Sequence, residues 1–513
     1  MNIQNLLEGV EILESWGHQE DLEVQGVNYN SKKIQEGDVF VAIKGLITDG
    51  HKYISDALDR GAVAVVVTEK PEKIQVPTYL VPSTRKALAQ ISANYYNHPS
   101  KEMTMIGITA SNGKTSTSMM LRSILDAAGE ESGLIGTVMY KIRDVEIPSK
   151  LTTPESLELQ GLFREMREED LPTVVMEVSS ISQEMCRVHG VDFDIVCMNN
   201  ITREHIDQHG SFEQYFEQKK RLITEAKPDA FVILNLSDPV VKTLIDQTPG
   251  RLITFSDVDA EADIYAEDID LSTGFPKFTL VVRRDFMTRG GRATIGRYPV
   301  TLQVAGYHSL VNSLSAMAMA IAMGIPMEEV IRGMEAFKGI ERRFQQVYNQ
   351  EFKIVDDHFA NMGNIDMTLQ TLSMMTYEKL HLVYAIRGNR GVTVNGENAD
   401  KLIEWNEILH YDSLIASLSR DCVEDHDVVH PDELQIFQRK LDEGKLGYEL
   451  TDTLREAVTL AVDRAGEGDL ILLAGCQGMD FGAKYILEAI QAKYPEKDPR
   501  ELFAVLEDRV AGI

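Results

Sequence analysis

The chain has 513 residues, too many for one hydrophobic core, so about three domains are expected. Apolar residues make up 43% and charged residues 26%, the balance of an ordinary globular protein. Against 80 Asp and Glu stand 51 Lys and Arg, a net charge of -29 spread without a long acidic run; this favours solubility and argues against a nucleic-acid surface, which needs clustered cations.

The N-terminal MNIQNLLEGVEILESWG has no basic stretch followed by an apolar one and does not read as a signal peptide. To about residue 97 short strands and helices alternate. DVFVAIKG (38–45) and GAVAVVVTE (61–69) read as buried strands, with HKYISDALDRG between them as a helix ending at a glycine. Purely apolar runs such as GAVAVVV (61–67) fall far below the ~18 residues of a membrane span. NHPSKEM (97–103) reads as a linker. TMIGIT (104–109), TVVMEV (173–178), FDIVCMNN (193–200) and AFVILNL (230–236) are strand candidates with helices between them, the βαβ signature of a parallel sheet. HSLVNSLSAMAMAIAMG (308–324) predicts a long helix closed by Gly324 and Pro326. From about 340 the alternation returns in FKIVDD (352–357), KLHLVYAIRG (379–388), SLIASLS (413–419) and DLILLAG (469–475). The reading is an α/β protein of three domains, residues 1–97, 98–338 and 339–513. Cys186, Cys197, Cys422 and Cys476 form no C-x-x-C pair and read as reduced thiols of a cytoplasmic chain.

ITASNGKTSTS (108–118) stands between the strand TMIGI and the helical run SMMLRSILDAAG. Backbone N–H groups at such a helix mouth attract phosphate, a lysine adds a point charge, and the hydroxyl after it can reach Mg²⁺. Gly113, Lys114 and Thr115 fit those roles, and a nucleoside triphosphate is the expected ligand. The strict G-x4-G-K-[ST] pattern is missed, because Ile108 stands at its first glycine; a chance Gly-Lys-Thr in a βα turn is the alternative. Glu177 ends a strand in MEVSS, at the sheet edge where parallel sheets bind ligands. His205, Asp207 and His209 crowd five residues. The zincin motif needs Glu directly after its first His, and Ile206 stands there; one His with Glu177 suits Mg²⁺ better. Lys219 and Lys220, taken alone, read as solvated charges on a polar helix.

Together these segments resemble the Mur ligase superfamily, most closely its UDP-N-acetylmuramoyl-tripeptide synthetase branch, over essentially the whole chain. The family's TGTNGKTT appears as TASNGKTS (109–116), and LTTPESLELQ (151–160) carries its TTP. MEVSS (176–180) matches intact, and NITREHIDQHG (200–210) matches NLTxDHLDYHG with Glu204 in place of Asp. GYHSLVNSLSA (306–316) resembles GxFNVxNxLAA, with His308 replacing an asparagine. GVNYNSKKIQEGDVFVAIKG (26–45) resembles the family's DSRxVxxGDLFxAxxG segment. The resemblance implies a central P-loop ATPase-like parallel sheet, a C-terminal Rossmann-like domain for the amino acid, and a small N-terminal α/β domain that binds UDP. It implies Lys114, Glu177, His205 and Lys219 as catalytic. It places Thr115, Glu177, His205 and Lys219 about the metal, with Lys219 as a carbamate because its spacing from His209 matches the family's carbamoylated lysine. Asn112, Gly113, Lys114, Thr115, Ser116, Asn200, Asn312, Arg343 and Asp356 fall to the nucleotide; Ser31, Thr152, Thr153, Ser179 and Arg187 fall to the UDP-sugar peptide.

The cofactors so implied are ATP and Mg²⁺, and the reaction is ADP-forming amide synthesis in peptidoglycan assembly. A substrate carboxylate takes the γ-phosphoryl group, and the amine of an incoming amino acid attacks the acyl phosphate. Lys114 and two Mg²⁺ would offset the negative charge that develops; closure of the third domain would exclude water. The expected partners are small molecules, with no nucleic acid and no membrane insertion. The third domain departs most from the family. VDYAHTP reads VDDHFANMGNI (355–365), and GGDRD reads RGNRG (387–391), keeping Gly388 and Arg390. DNPR of the diaminopimelate-adding enzymes is absent from SLSRDCVED (417–425), and GKGHE reads GCQGMD (475–480). The added amino acid is therefore open. A Mur-like ligase on a non-peptidoglycan acceptor and a catalytically weak nucleotide-binding homologue are the alternatives; the retained Lys114, Glu177, His205 and Lys219 speak against the second.

Overall fold

A computed structural model describes every residue except 46–47, 74, 203–208, 340–341, 360–361, 508 and 510–513. The chain forms two compact units: Met1–Ala266 with Leu280–Tyr298 and Val311–Met334, and Glu267–Thr279 with Pro299–Leu310 and Glu335–Ile513. Among the described residues its strands make sheets of five, eleven, two and six strands.

The five-stranded sheet opens the first unit. It holds β1 (Glu14–Trp16), β2 (Gly26–Asn28), β3 (Asp38–Val41), β4 (Ala64–Val67) and β5 (Thr78–Leu80) in the order β1-β5-β4-β3-β2. Its pairings are parallel except at β1. Every residue of β3 and β4 is buried, as parallel strands covered on both faces require. Val39, Val41 and Val66 pack with Ile3, Leu6 and Ile91 on one face; Phe40 and Val65 pack with Ala57 on the other. The helix expected between those strands is a 3-10 turn, Gly50–Tyr53, followed by Ile54–Asp59.

The central sheet uses β6 (Thr104–Thr109), β7 (Ser132–Ile135), β8 (Met139–Ile142), β9 (Val145–Pro148), β10 (Thr173–Glu177), β11 (Ile195–Met198), β12 (Phe231–Asn235), β13 (Arg251–Ser256), β14 (Ile264–Asp270) and β15 (Lys277–Val282). After the hairpin of β16 (Phe286–Thr288) and β17 (Gly291–Ala293) comes β18 (Gly296–Thr301). The order is β18-β15-β14-β13-β12-β11-β6-β10-β7-β8-β9. From β13 to β7 the pairings are parallel; β8 and β9 extend the sheet antiparallel. β6 lies between β10 and β11, so the strand order reverses there, and ligands bind outside the carboxyl ends of strands at such a point. On the helix Ser156–Glu168, Leu159, Phe163 and Met166 are buried; their helical spacing makes one apolar stripe, packed with Met105, Val174 and Met176.

The second unit carries β19 (Gln345–Asn349), β20 (Lys353–Asp357), β21 (Leu380–Ala385), β22 (Ser413–Ser417), β23 (Glu449–Thr451) and β24 (Leu470–Ala474) in the order β19-β20-β24-β21-β22-β23. All pairings are parallel except β19 with β20. Alternate residues enter opposite cores, as the strand period dictates. Leu382, Tyr384 and Leu472 meet Leu369 and Phe437, while Val383 and Leu473 meet Val458 and Ile486. The alternation of strands and helices read from the sequence is present, in the Rossmann-like arrangement that the resemblance implied. No helix among the described residues is long and apolar enough to cross a membrane.

Gly333, in the helix Met327–Ala336, lies against the helix Lys114–Ala127. A Cβ there would sit 2.4 Å from Ile124 Cα, and Ser123 Oγ donates to Gly333 O at 2.7 Å. Backbone cannot move aside as a side chain can. Gly333→Ala should therefore cost about 1–3 kcal/mol, read as a lowered denaturation midpoint.

Candidate active site

The parallel strands of the central sheet end together. Glu177 of β10 pairs level with Ile108 of β6, and Met198 of β11 with Thr109, so the loop 110–113, Val178 and Asn199 leave the sheet at one edge. The loop enters the helix Lys114–Ala127 through Gly113, which has φ 87° and no side-chain cap. A Cβ on Gly113 would lie 2.2 Å from Asn312 Oδ1. Glycine is thus required by conformation and by space, and the helix N-terminus stays accessible to an anion. Lys114 Nζ donates to Ala110 O and Ser111 O, both at 2.9 Å, folding back over the loop. Ser116 follows in the first helical turn, half-buried.

Asparagines hold the loop in place. Asn200 Oδ1 accepts from Asn112 N and Asn200 Nδ2 donates to Asn112 O, both at 2.9 Å. Asn199 Nδ2 donates to Asn312 Oδ1 at 2.7 Å. Ser111 Oγ and Tyr215 OH share a 2.8 Å hydrogen bond.

Glu177 is 1% exposed. Its Oε2 accepts from Thr115 Oγ1 at 3.1 Å and Thr137 Oγ1 at 2.9 Å; its Oε1 accepts from Thr137 N at 2.9 Å. Among the described residues no basic side chain forms an ion pair with it. An unpaired buried carboxylate is costly, and a carboxylate beside a threonine hydroxyl is a hard-oxygen donor set that suits Mg²⁺. The residues present therefore fit the implied ion. Among the described residues no group of three or more His, Cys, Asp or Glu could hold a metal. His205 and Asp207 lie outside the described residues.

Lys219 is a correction to the solvated-charge reading. It is 2% exposed, in the helix Phe212–Thr224. Its Nζ donates to Ala110 O at 2.7 Å and Thr109 Oγ1 at 3.3 Å, and stands 5.1 Å from the centre of the Tyr215 ring. Lys114 and Lys219 thus grip the same loop carbonyl. Lys220 does face outward, pairing with Glu217. His209 is fixed by Ser180 Oγ and by Glu184 Oε2, both at 2.9 Å.

The acceptor-side residues adjoin Glu177. Thr152 Oγ1 and Thr137 Oγ1 are 3.1 Å apart. Buried Thr153 donates to Glu177 O at 2.8 Å and accepts from Ser179 N at 3.2 Å. Arg187 donates to Thr153 O at 3.1 Å and to Glu155 Oε1 at 2.9 Å. The N-terminal sheet reaches this region through Tyr29 OH, 2.7 Å from Glu158 Oε1, and Arg85, 3.6 Å from Glu155. Ser31 stands two residues beyond Tyr29, buried, and its hydrogen bond helps hold the Asp56 carboxyl below its ordinary value.

The second unit places its own candidates at the carboxyl edge of its sheet. Asp356 of β20 is 0% exposed and is engaged by Arg509 Nη2, with Arg342 Nε 3.6 Å away. Arg342 also pairs with Asp480 and donates to Gly475 O at 2.6 Å. Asp356 is thus the centre of a buried ion cluster. Burial, and then Arg343, press the His308 ring down to about 4. Burial with Arg342, Arg343 and Arg387 presses His358 to about 3. An acidic protein has gathered arginines here. Sequence reasoning missed Thr137, Arg342 and Arg509: none sits in a phosphate or metal motif, and Arg342 is one step from Arg343 in the same GIERRF.

Solved structures share this fold. One of a UDP-N-acetylmuramoyl-L-alanyl-D-glutamate–2,6-diaminopimelate ligase matches with a TM-score of 0.73 at 21% identity, over 96% of this chain and 99% of that one. A MurF ligase from Thermotoga maritima in complex with ADP matches with 0.60 at 20% identity, over 94% and 100%. The architecture is that of the three-domain α/β ligases. Sequence comparison goes further. Residues 23–96 match the Mur ligase family catalytic domain, 108–320 the Mur ligase middle domain and 342–477 the Mur ligase glutamate ligase domain. The UDP-N-acetylmuramoyl-L-alanyl-D-glutamate–2,6-diaminopimelate ligase of Bacillus licheniformis is 32% identical over 93% of this chain and 94% of its own, and that of Clostridium botulinum 31% identical over 94% and 95%. The chain belongs to the Mur ligase family, and it is an ATP-dependent amino-acid ligase.

Gly113→Ala should lower the affinity for ADP by about tenfold or more in calorimetry, since the substitution adds both left-handed strain and a clash. Gly129→Ala is the control: Gly129 also has positive φ, 74°, but nothing within 4 Å, so it should change stability and leave ADP binding alone. A second expectation concerns pH. The folded His308 binds its proton more weakly than the unfolded one, so stability is present above about 6.5 and is lost as pH falls toward about 4. Denaturant titrations of wild type and His308→Gln between pH 7.5 and 4 should show a shallower decline in the variant.

Proposed function

We propose that the chain joins an amino acid to the free carboxylate of a UDP-MurNAc-peptide-like acceptor, forming ADP through an acyl phosphate. The observation that carries this reading is the buried Glu177 carboxylate, bonded to Thr115 of the phosphate loop on one side and to Thr137, itself next to Thr152, on the other. Phosphate chemistry and acceptor chemistry then meet across one side chain.

Each residue has a task in this scheme. Lys114 releases its loop carbonyls to neutralise phosphoryl oxygens during transfer. Gly113, with the backbone of Asn112, Thr115 and Ser116, receives phosphate; Asn200 and Asn312 keep the loop in register. Thr115, Glu177, His205 and Lys219, the last as a carbamate, hold Mg²⁺, which when bound neutralises charge on the transferred group. Thr152, Thr153, Ser179 and Arg187 orient the acceptor carboxylate, and Ser31 contacts the UDP end. In the second unit Arg343 and Asp356 are assigned to the nucleotide, and the arginine-rich sheet edge takes the carboxylate of the incoming amino acid. The relatives' names specify diaminopimelate; the missing DNPR arginine leaves the amino acid added here to experiment. A cytoplasmic location goes with this reading.

The test is phosphate release from ATP with Mg²⁺, UDP-MurNAc-L-Ala-D-Glu and a panel including meso-diaminopimelate and L-lysine. Turnover requiring both the UDP acceptor and one amino acid is expected; turnover only with another carboxylate would sink the acceptor assignment. Lys114→Ala should cut kcat by about 10²–10³. Lys219→Ala should fall comparably and recover in part with added short carboxylates; undiminished activity would remove the carbamate.

A further inference from the structure

Glu433 lies in the first turn of the helix Pro431–Glu443 and is 2% exposed. Its Oε1 accepts from Arg390 N at 2.7 Å and Gly391 N at 2.6 Å. Its Oε2 accepts from Asn389 N at 3.0 Å and His430 N at 2.9 Å. The last bond is the return arm of an ordinary capping box on its own helix. The other three belong to a different helix, Gly391–Leu409, whose N-cap Arg390 makes no side-chain cap of its own. One carboxylate thus closes two helix mouths, with all four of its usual acceptor directions used. Burial alone would raise its carboxyl, but the N–H bonds outweigh that and hold it below the usual range.

The loop so gripped occupies a defined place. Residues 386–391 leave β21 at the carboxyl edge of the six-stranded sheet, where ligands of such sheets bind. Gly388 is pressed against the neighbouring segment: a Cβ would fall 1.9 Å from Asp427 O. Asn389, at φ 54°, donates from Nδ2 to His426 O at 3.0 Å. Arg390 Nη2 meets Asp427 Oδ1 at 3.2 Å, while its side chain stays 34% exposed. Arg387, Arg342, Arg390 and Arg343 all act on the Cys476 thiol just past β24, opposing the upward push of burial. Arg390 therefore belongs to the cationic group at this edge.

We propose that Glu433 is a positioning residue for ligation: it pins the Asn389–Gly391 backbone so that the Arg390 guanidinium is presented to the carboxylate of the incoming amino acid. This rests on the ligase reading above and adds a residue to it. Three N–H donors converging on one anion fix the loop at the root of the arginine. Asp427 then fixes the tip.

Glu433→Gln is nearly isosteric but sets an NH₂ against two of the N–H donors. With UDP-MurNAc-L-Ala-D-Glu, ATP and meso-diaminopimelate or L-lysine, whichever the wild type accepts, the KM for the amino acid should rise about tenfold or more, with the KM values for ATP and the UDP acceptor within about twofold. Asp427→Asn leaves the carboxylate nest intact and guards against a misfolded first variant; it should raise the same KM about threefold. A purely structural Glu433 would lower Tm and the active fraction, and hence kcat, with no selective change in KM. An unchanged amino-acid KM in both variants, or an equal rise in all three KM values, overturns the proposal. If the wild type itself releases no phosphate with any acceptor and amino acid, the ligase reading falls and this inference with it; if the wild type turns over normally, only the inference is at stake.

Discussion

The reversal of strand order at β6 is the constraint from which the candidate active site follows. Because β10 and β11 flank β6 while the chain reaches them by separate crossovers, three strand ends arrive at one edge carrying different chemistry. β6 delivers the phosphate loop, β10 the buried carboxylate and β11 the two asparagines. Register completes the work: Glu177 stands level with Ile108, two residues before the loop, close enough for its oxygen to reach Thr115. A one-residue slip of β10 would turn Glu177 to the opposite face of the sheet.

Both units place charge in their interiors and satisfy it differently. In the first, the partners of Glu177 among the described residues are two threonine hydroxyls and one backbone N–H, an arrangement suited to a cation. In the second, Asp356 is met by arginine, and Glu433 by four backbone N–H groups at two helix N-termini, whose dipoles oppose its charge. The distinction separates a carboxylate left open to a cation from carboxylates whose charge the fold already meets.

Much of this was legible in the sequence, for physical reasons. The strands β3, β4, β6, β10, β11, β12, β20, β21, β22 and β24 announce themselves because strands covered on both faces are unbroken apolar runs. The structure only trims their ends. The outer strands of the central sheet were not legible: β9 has the pattern exposed, exposed, intermediate, exposed, and β14 mixes buried and polar positions. The phosphate loop could be read despite Ile108 at the first glycine, because the strand before it and the helix after it supply the context. Lys219 could not be read from its surroundings, since its neighbours in FEQKKRL are polar. Only packing against Ala110 and Tyr215 makes it an interior residue. Glu433 was invisible for a related reason: its three extra partners are more than forty residues away.

The posture of Lys114 has a consequence for which anions can enter. Its ammonium already rests on two carbonyl oxygens, so phosphate does not gain a waiting charge. It takes part in an exchange in which Ser111 O must find another donor, while Ala110 O keeps Lys219. A monovalent ion such as chloride offers too little in return, whereas a polyphosphate can repay the swap at several points along its length. The resting contacts of Lys114 thus favour polyvalent over monovalent anions at the loop.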